Sequence, residues 1–204
     1  MKIRHLAALA LLVVTSASQA TVLDFNEKSD GQYWIGSTTS QSFTATTLET
    51  NGNIGLVTHV DGYGNSNGTV SLISWTNGDS DSGFTLAKND FSLFSLNAFD
   101  FANGYPNFSS AVTSLDIIGT YANSSTTVQH FEAIWGSTDF ATLTLNNSFS
   151  NLVSVNFIAN GFYNRAVWDN IVVDEASHVA EPAPFLLLGL GLFGLGVARR
   201  NKKS

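Results

Sequence analysis

Between residues 21 and 176, apolar and polar positions alternate in short runs, punctuated by Gly, Asn and Ser. Period-two alternation puts every second side chain on the same face of an extended chain, as in a half-buried strand. The pattern is clearest at Val153/Val155/Phe157 and Leu143/Leu145, with Ser154, Asn156 and Thr144 between them, and Leu115/Ile117 repeats it. Candidate strands cover 21–25, 40–48, 54–60, 69–75, 91–101, 111–121, 126–135, 139–146, 151–158 and 166–173. Turn signals fall at Asn51-Gly52, Asp61-Gly62, Asn77-Gly78, Asn103-Gly104 and Asn160-Gly161. This part of the chain carries no convincing helical stripe. About ten strands at this spacing predict an all-β domain, a single jelly-roll-like β-sandwich. A β-helix is the competing architecture, but no fixed repeat period runs through the chain. Phe91 to Phe101 places aromatics on both parities, which implies a bulge or burial on two sides.

The two ends follow other patterns. Met1-Lys2-Ile3-Arg4-His5 is a basic start, Leu6 to Val14 is apolar, and Ser18-Gln19-Ala20 is a small-x-small exit. That order is the layout of a secretory signal peptide over 1–20, with cleavage expected between Ala20 and Thr21. At the other end, Phe185 to Ala198 is an unbroken apolar run followed by Arg199-Arg200-Asn201-Lys202-Lys203-Ser204. As a helix these residues span roughly 21 Å at about 1.5 Å per residue. That is short against a hydrocarbon core of roughly 30 Å, and the flanking cations can snorkel. The basic cluster places the C-terminus on the cytoplasmic side. The expected organisation is a signal peptide (1–20), a β-sandwich ectodomain (21–173) and a linker with a sorting motif (174–184). A short transmembrane helix (185–198) and a basic cytoplasmic tail (199–204) follow.

A Glu-Pro motif, a short Leu/Gly-rich helix and a terminal Arg cluster together resemble the PEP-CTERM sorting signal of exported proteins of Gram-negative bacteria. Here the motif is the variant Ala180-Glu181-Pro182, and the cluster begins at Arg199 and Arg200. The resemblance covers 181–204. It implies an exosortase-type processing enzyme as partner and a precursor held in the inner membrane by its C-terminal helix. The destination would be the cell surface or the extracellular matrix, with a link to exopolysaccharide and biofilm. An ordinary tail anchor is the plainer alternative.

Composition narrows the centre. Charged residues are 12% of the chain and aromatics 12%. Residues 21–180 hold Lys28, Lys88 and Arg165 against fifteen Asp and Glu, a formal −12. Nucleic acid is excluded as a partner, because phosphate neutralisation needs clustered Lys and Arg. The chain has no Cys, which removes disulfides, thiolate zinc sites and a cysteine nucleophile.

The segment Ala166-Val167-Trp168-Asp169-Asn170-Ile171-Val172-Val173 resembles the closing strand of carbohydrate-binding jelly rolls, and Val22-Leu23-Asp24-Phe25 resembles their opening strand. That likeness implies a structural calcium between first and last strands, with Asp24 and Asp169 as oxygen ligands and Glu27 as a further one. Asp169 shares parity with Val167, Ile171 and Val173, so its carboxylate is expected to point inward and need partners. The commoner reading is an Asp at a strand bulge, satisfied by backbone donors. Asn77 to Gly83 resembles a calcium loop, but Lys88 stands where an EF-hand has Glu, and a solvated hairpin is favoured.

No nucleophile elbow, zinc-protease helix or phosphate loop is present, so no catalytic residue is assigned. His59/Asp61 and His130/Glu132 place an imidazole and a carboxylate two apart on one strand face. Tyr33 and Trp34, between Gly31 and Gly36 in an expected loop, are candidates for glycan contact, since a ring offers an apolar face to a sugar. Trp75, Trp135 and Trp168 lie in apolar runs and are expected in the core. The expectation is a non-enzymatic exported protein that binds polysaccharide. A secreted polysaccharide hydrolase is the alternative, and an ice-binding protein a distant one. Thr44/Thr46 and Thr142/Thr144 do not repeat regularly enough for an ice-matching array.

Overall fold

A computed structural model describes residues 20–29, 31–48, 53–57, 68–75, 81–104, 112–132, 139–161 and 165–174. The signal peptide up to residue 19, the sorting motif with Glu181 and Pro182, the 185–198 segment, Arg199 and Arg200 lie outside the described residues. So do His59, Asp61, Asn77 and Trp135.

Thirteen strands form among the described residues, and no helix. In chain order they are β1 (Thr21–Leu23), β2 (Gln32–Ile35), β3 (Ser37–Ser40), β4 (Phe43–Thr47), β5 (Asn53–Val57), β6 (Ser71–Trp75) and β7 (Ser82–Lys88). There follow β8 (Leu96–Asn103), β9 (Ser114–Tyr121), β10 (Thr126–Glu132), β11 (Ala141–Thr144), β12 (Leu152–Asn160) and β13 (Arg165–Val173). They build two antiparallel sheets packed as a jelly-roll-like sandwich. One has seven strands in the order β11-β8-β13-β6-β5-β2, with β1 added to β13. The other has six, in the order β10-β9-β12-β7-β4-β3. Successive strands repeatedly cross between the sheets, and β3–β4, β5–β6 and β9–β10 pair within one.

Three strands were not among the sequence candidates. β2 is only four residues long with Tyr33, Trp34 and Ile35 in a row, and β3 is short and polar, so neither shows an apolar alternation. β7 does alternate, through Phe84 and Leu86, but its first residues were absorbed into the calcium-like loop. Gly83 has a backbone role instead. It lies in β7 opposite Ile158, and a Cβ there would sit 2.0 Å from the Phe157 carbonyl oxygen. Only glycine permits that approach.

The inward-facing residues are those whose alternation is strongest. Phe84 and Leu86 on β7, Leu115 and Ile117 on β9, and Val155 and Phe157 on β12 are all buried. Val153 falls out of the expected pattern because the register shifts between Leu152 and Ser154, which turns Leu152 into the core instead. Trp168 is fully buried, with the rings of Phe84, Phe99, Phe101 and Phe157 at 5.3–5.7 Å. Its indole Nε1–H donates to Ser74 Oγ at 3.0 Å, which satisfies the one polar atom the ring brings inside.

The outer face of the seven-stranded sheet is also covered over β6 and the adjoining parts of β8 and β13. Every residue of β6 is buried. Ile73 and Trp75 from β6 pack with Ala102 of β8 and Val167 of β13 in a second, smaller cluster, against which Phe140 rests. Trp75 is thus a buried residue of that outer layer rather than of the sandwich interior.

Candidate functional site

The outer face of the six-stranded sheet is different in kind. The pairing sets Ser37, Thr46, Thr85, Asn156, Ile118 and Val128 in one row across the six strands. Thr39, Thr44 and Ala87 form the start of the next row. Hydroxyls, amides and small apolar groups therefore line the part of this surface over β4 and β7. A groove of about 490 Å³ opens over β4 and β7, lined by Thr44, Thr46, Thr85, Ala87, Asn89 and Phe91, with Lys88 at its edge.

Phe91 stands at the rim of this groove. Its side chain is 86% exposed, the largest exposure among the described large apolar residues. Its φ is +59°, a left-handed conformation that a bulky residue rarely adopts. Local bonds impose it. Phe91 N–H donates to the Lys88 carbonyl at 3.2 Å, and Asp90 Oδ1 accepts from Ser92 N at 3.0 Å and Ser92 Oγ at 2.7 Å. Those two bonds from Ser92 hold the Asp90 carboxyl below the usual carboxylate range, so the turn carries an ionised cap. The expected bulge over 91–101 is present within β8, where the register with β13 shifts between Ala98 and Leu96 and lets Leu96, Phe99 and Phe101 all face the core. Phe91 lies in a turn before β8, and Phe94 makes an isolated bridge to Leu152.

The polar atoms of the groove are oriented. Thr44 Oγ1 donates to Asn89 Oδ1 at 2.5 Å, and Thr85 Oγ1 donates to Asn156 Oδ1 at 2.9 Å. Lys88 is clasped at the edge, with Nζ 2.6 Å from Asp174 Oδ2 and 5.5 Å from the centroid of the buried Phe43 ring. Its side chain is only 16% exposed.

Farther across the same face, His130 on β10 sits opposite Asp116 on β9. His130 Nδ1 is 2.7 Å from Asp116 Oδ1, and Nε2 is 3.3 Å from Glu132 Oε1. The expected His130/Glu132 pairing on one strand face is present, but the closer partner is the cross-strand Asp116. Asn160 Nδ2 donates to the other Asp116 oxygen at 2.8 Å. The hydrogen bond to Asp116, then that to Glu132, raises the His130 pKa above 6.5. The same His130 bond, helped by Asn160 against partial desolvation, lowers Asp116 below 3.8.

The site residues singled out from sequence are not among those that line the groove. Tyr33 and Trp34 lie in β2, at an edge of the seven-stranded sheet, rather than in a loop. Asp24 bonds to Asn26, whose N and Nδ2 donate to its two oxygens at 3.3 and 3.0 Å. Asp169 is fully buried, as expected, but not by the expected parity. The β13–β8 register shifts between Asp169 and Val172, where Asn170 has φ +46°. The bulge turns Trp168 and Ile171 to the interior and leaves Asp169 with Val167 on the covered outer face. There it accepts from Thr69 Oγ1 at 2.8 Å, Ser71 Oγ at 3.2 Å and Asn170 N at 2.8 Å. Among the described residues, no three His, Asp or Glu side chains gather into a metal-holding group. Thr21 opens β1, in register with Val173, so the two ends of the domain meet. Sequence reasoning missed the groove residues Thr44, Thr85 and Asn89, and gave Phe91 no surface role. The Asn89-Asp90 turn signal after a Phe84/Leu86 alternation was the one cue available.

No protein-family model and no curated protein sequence matches this chain. Solved structures of family 29 carbohydrate-binding modules are similar to it. One, a mutant complexed with mannohexaose, has 14% sequence identity and TM-score 0.49, covering 77% of this chain and 91% of that one. A second mutant module has 15% identity and TM-score 0.47, covering 81% and 99%. A third has 16% identity and TM-score 0.45, covering 77% and 91%.

Proposed function

We propose that this chain is an exported, non-enzymatic cell-surface or extracellular-matrix protein that binds polysaccharide on the outer face of its six-stranded sheet. The observation that carries the reading is Phe91, an 86%-exposed ring held in a strained turn beside a groove of hydroxyls and amides. The turn's own hydrogen bonds hold that geometry while the ring stays out of the core, and backbone strain of this kind costs about 1–3 kcal/mol at sites where it persists. A sugar ring stacked on the phenyl face, with its hydroxyls over Thr46 and Asn89, would use it. Export and membrane retention are supported by the N-terminal signal layout and by the apolar run and basic cluster at 185–204. In this reading the tail is handled by an exosortase-type enzyme, with Glu181 and Pro182 in the motif it reads.

The hydrolase reading has one observation in its favour, the Asp116–His130 pair. That pair lies in an exposed row, and among the described residues no hydroxyl is bonded to the ring. Affinity electrophoresis through gels containing neutral or acidic glycans tests the binding reading. Retardation on a glycan, lost in Phe91→Ala, is expected. No retardation on any glycan overturns it, and release of reducing sugar transfers the argument to hydrolysis.

A further inference from the structure

We infer that the groove takes a neutral polysaccharide whose sugars carry an acetamido group, and this rests on the polysaccharide reading above. The argument comes from the direction of the polar atoms. Asn89 and Asn156 each receive a threonine hydroxyl on the amide oxygen, from Thr44 and Thr85. Each amide is thereby turned so that its NH₂ group is the part left for a ligand, a pure donor. Each threonine has committed its proton and keeps only lone pairs, a pure acceptor. A ligand hydroxyl can rotate to suit many surroundings, whereas an amide has a fixed C=O acceptor and a fixed N–H donor. The groove offers the Asn89 donor beside the Thr44 acceptor, and the Thr85 acceptor in register with Asn156 at its side.

The apolar part fits the same group. Ala87 lies in the groove next to Thr44 in register, and Phe91 rises at the rim. A methyl placed there covers apolar surface that a bare hydroxyl would leave wet. The charges argue for neutrality. Lys88 is held by Asp174 at 2.6 Å, so it is not free to attract a carboxylate or sulfate. Asp90, beside Phe91, is an ionised neighbour that repels anions.

The test compares two probes that share one backbone: the β-1,4-linked hexamer of N-acetylglucosamine and the β-1,4-linked hexamer of glucose. Binding to the full-length, detergent-solubilised chain is read by titration calorimetry. The acetylated hexamer is expected to bind roughly tenfold tighter, the lower end of what one missing apolar group changes in a fitted pocket. Asn89→Asp keeps the shape and the acceptor for Thr44 but removes the donor. It should erase most of that preference, weakening the acetylated hexamer several-fold more than the glucose hexamer. Equal affinity for the two hexamers overturns the acetamido assignment and leaves the polysaccharide reading standing. Binding of neither hexamer, with no retardation on the wider glycan panel, overturns both.

Discussion

The two sheets carry the same alternation on their inner faces and opposite treatments of their outer ones. On β6 all five residues are buried, and Ile73, Trp75, Ala102 and Val167 form an apolar layer outside the seven-stranded sheet. On β10 the burial pattern alternates strictly between half-buried and exposed. A sheet face left to water, with threonines, asparagines and one exposed ring, is available for a ligand. A face sealed by a second cluster contributes to stability. The difference separates residues whose loss should unfold the domain from residues whose loss should silence it.

The largest effect is expected at the shared interior. Trp168→Ala removes a fully buried ring in contact with four others and leaves Ser74 without its indole donor. A loss of about 3–5 kcal/mol is expected in urea unfolding. A loss below 1 kcal/mol would mean that the sandwich does not close around this ring.

Asp169 and Asp116 make the comparison with one residue type. Asp169→Ala deprives Thr69, Ser71 and the Asn170 amide of their acceptor beneath the covered face. Leaving buried donors unmet costs about 1–3 kcal/mol. Asp116→Ala on the open face should fall within about 0.5 kcal/mol of the parent. Equal losses at the two positions would break the distinction between sealed and open faces.

The inner layer was readable because its signal is local and periodic. Leu115/Ile117 and Val155/Phe157 were identified from alternation alone and are buried as expected. The bulges at Asp169 and within 91–101 were legible as expectations, but not which side chains they would turn inward. A one-residue insertion reverses parity, and Asn170 in β13 does so beside Asp169 with no glycine to mark it. The site was less legible still. Thr44, Thr46 and Thr85 look alike in sequence, and only the β4–β7 pairing brings Thr46 and Thr85 together. Trp34 drew attention as an aromatic between glycines, whereas Phe91 followed a polar Asn-Asp pair that looked like the start of a strand.

Phe91 should show the reverse of Trp168. Phe91→Asn places at φ +59° a residue that tolerates the left-handed region. Stability should be unchanged or gain up to about 1 kcal/mol from relieved strain. Retardation on glycan gels should disappear at the same time. A stability loss with binding intact would return Phe91 to the core-supporting class.

The smallest effect belongs to His130, and pH isolates it. Its ring bonds to Asp116 and Glu132 in the protonated form, which is why its pKa is raised. A base strengthened by folding stabilises the fold fully below its unfolded pKa of about 6.5, and that support is lost as pH rises through the higher folded value. Asp116 works from the other side. Its lowered pKa adds stability above about 3.8, lost as pH falls through the folded value. The pair is therefore fully charged only between those two limits. The imidazole proton shift of His130 in NMR should titrate above pH 6.5 and return toward it in Asp116→Asn. Glu132→Gln should lower it less, since Asp116 is the larger influence. The urea midpoints of the parent and His130→Gln should differ slightly at pH 5.5 and converge above the titration. The site is open to solvent and salt, so 1 M salt should shrink even the small difference at pH 5.5. A difference that persists at pH 9, or that resists salt, would mean that His130 acts through packing, and that the open face is less open than its alternating exposure indicates.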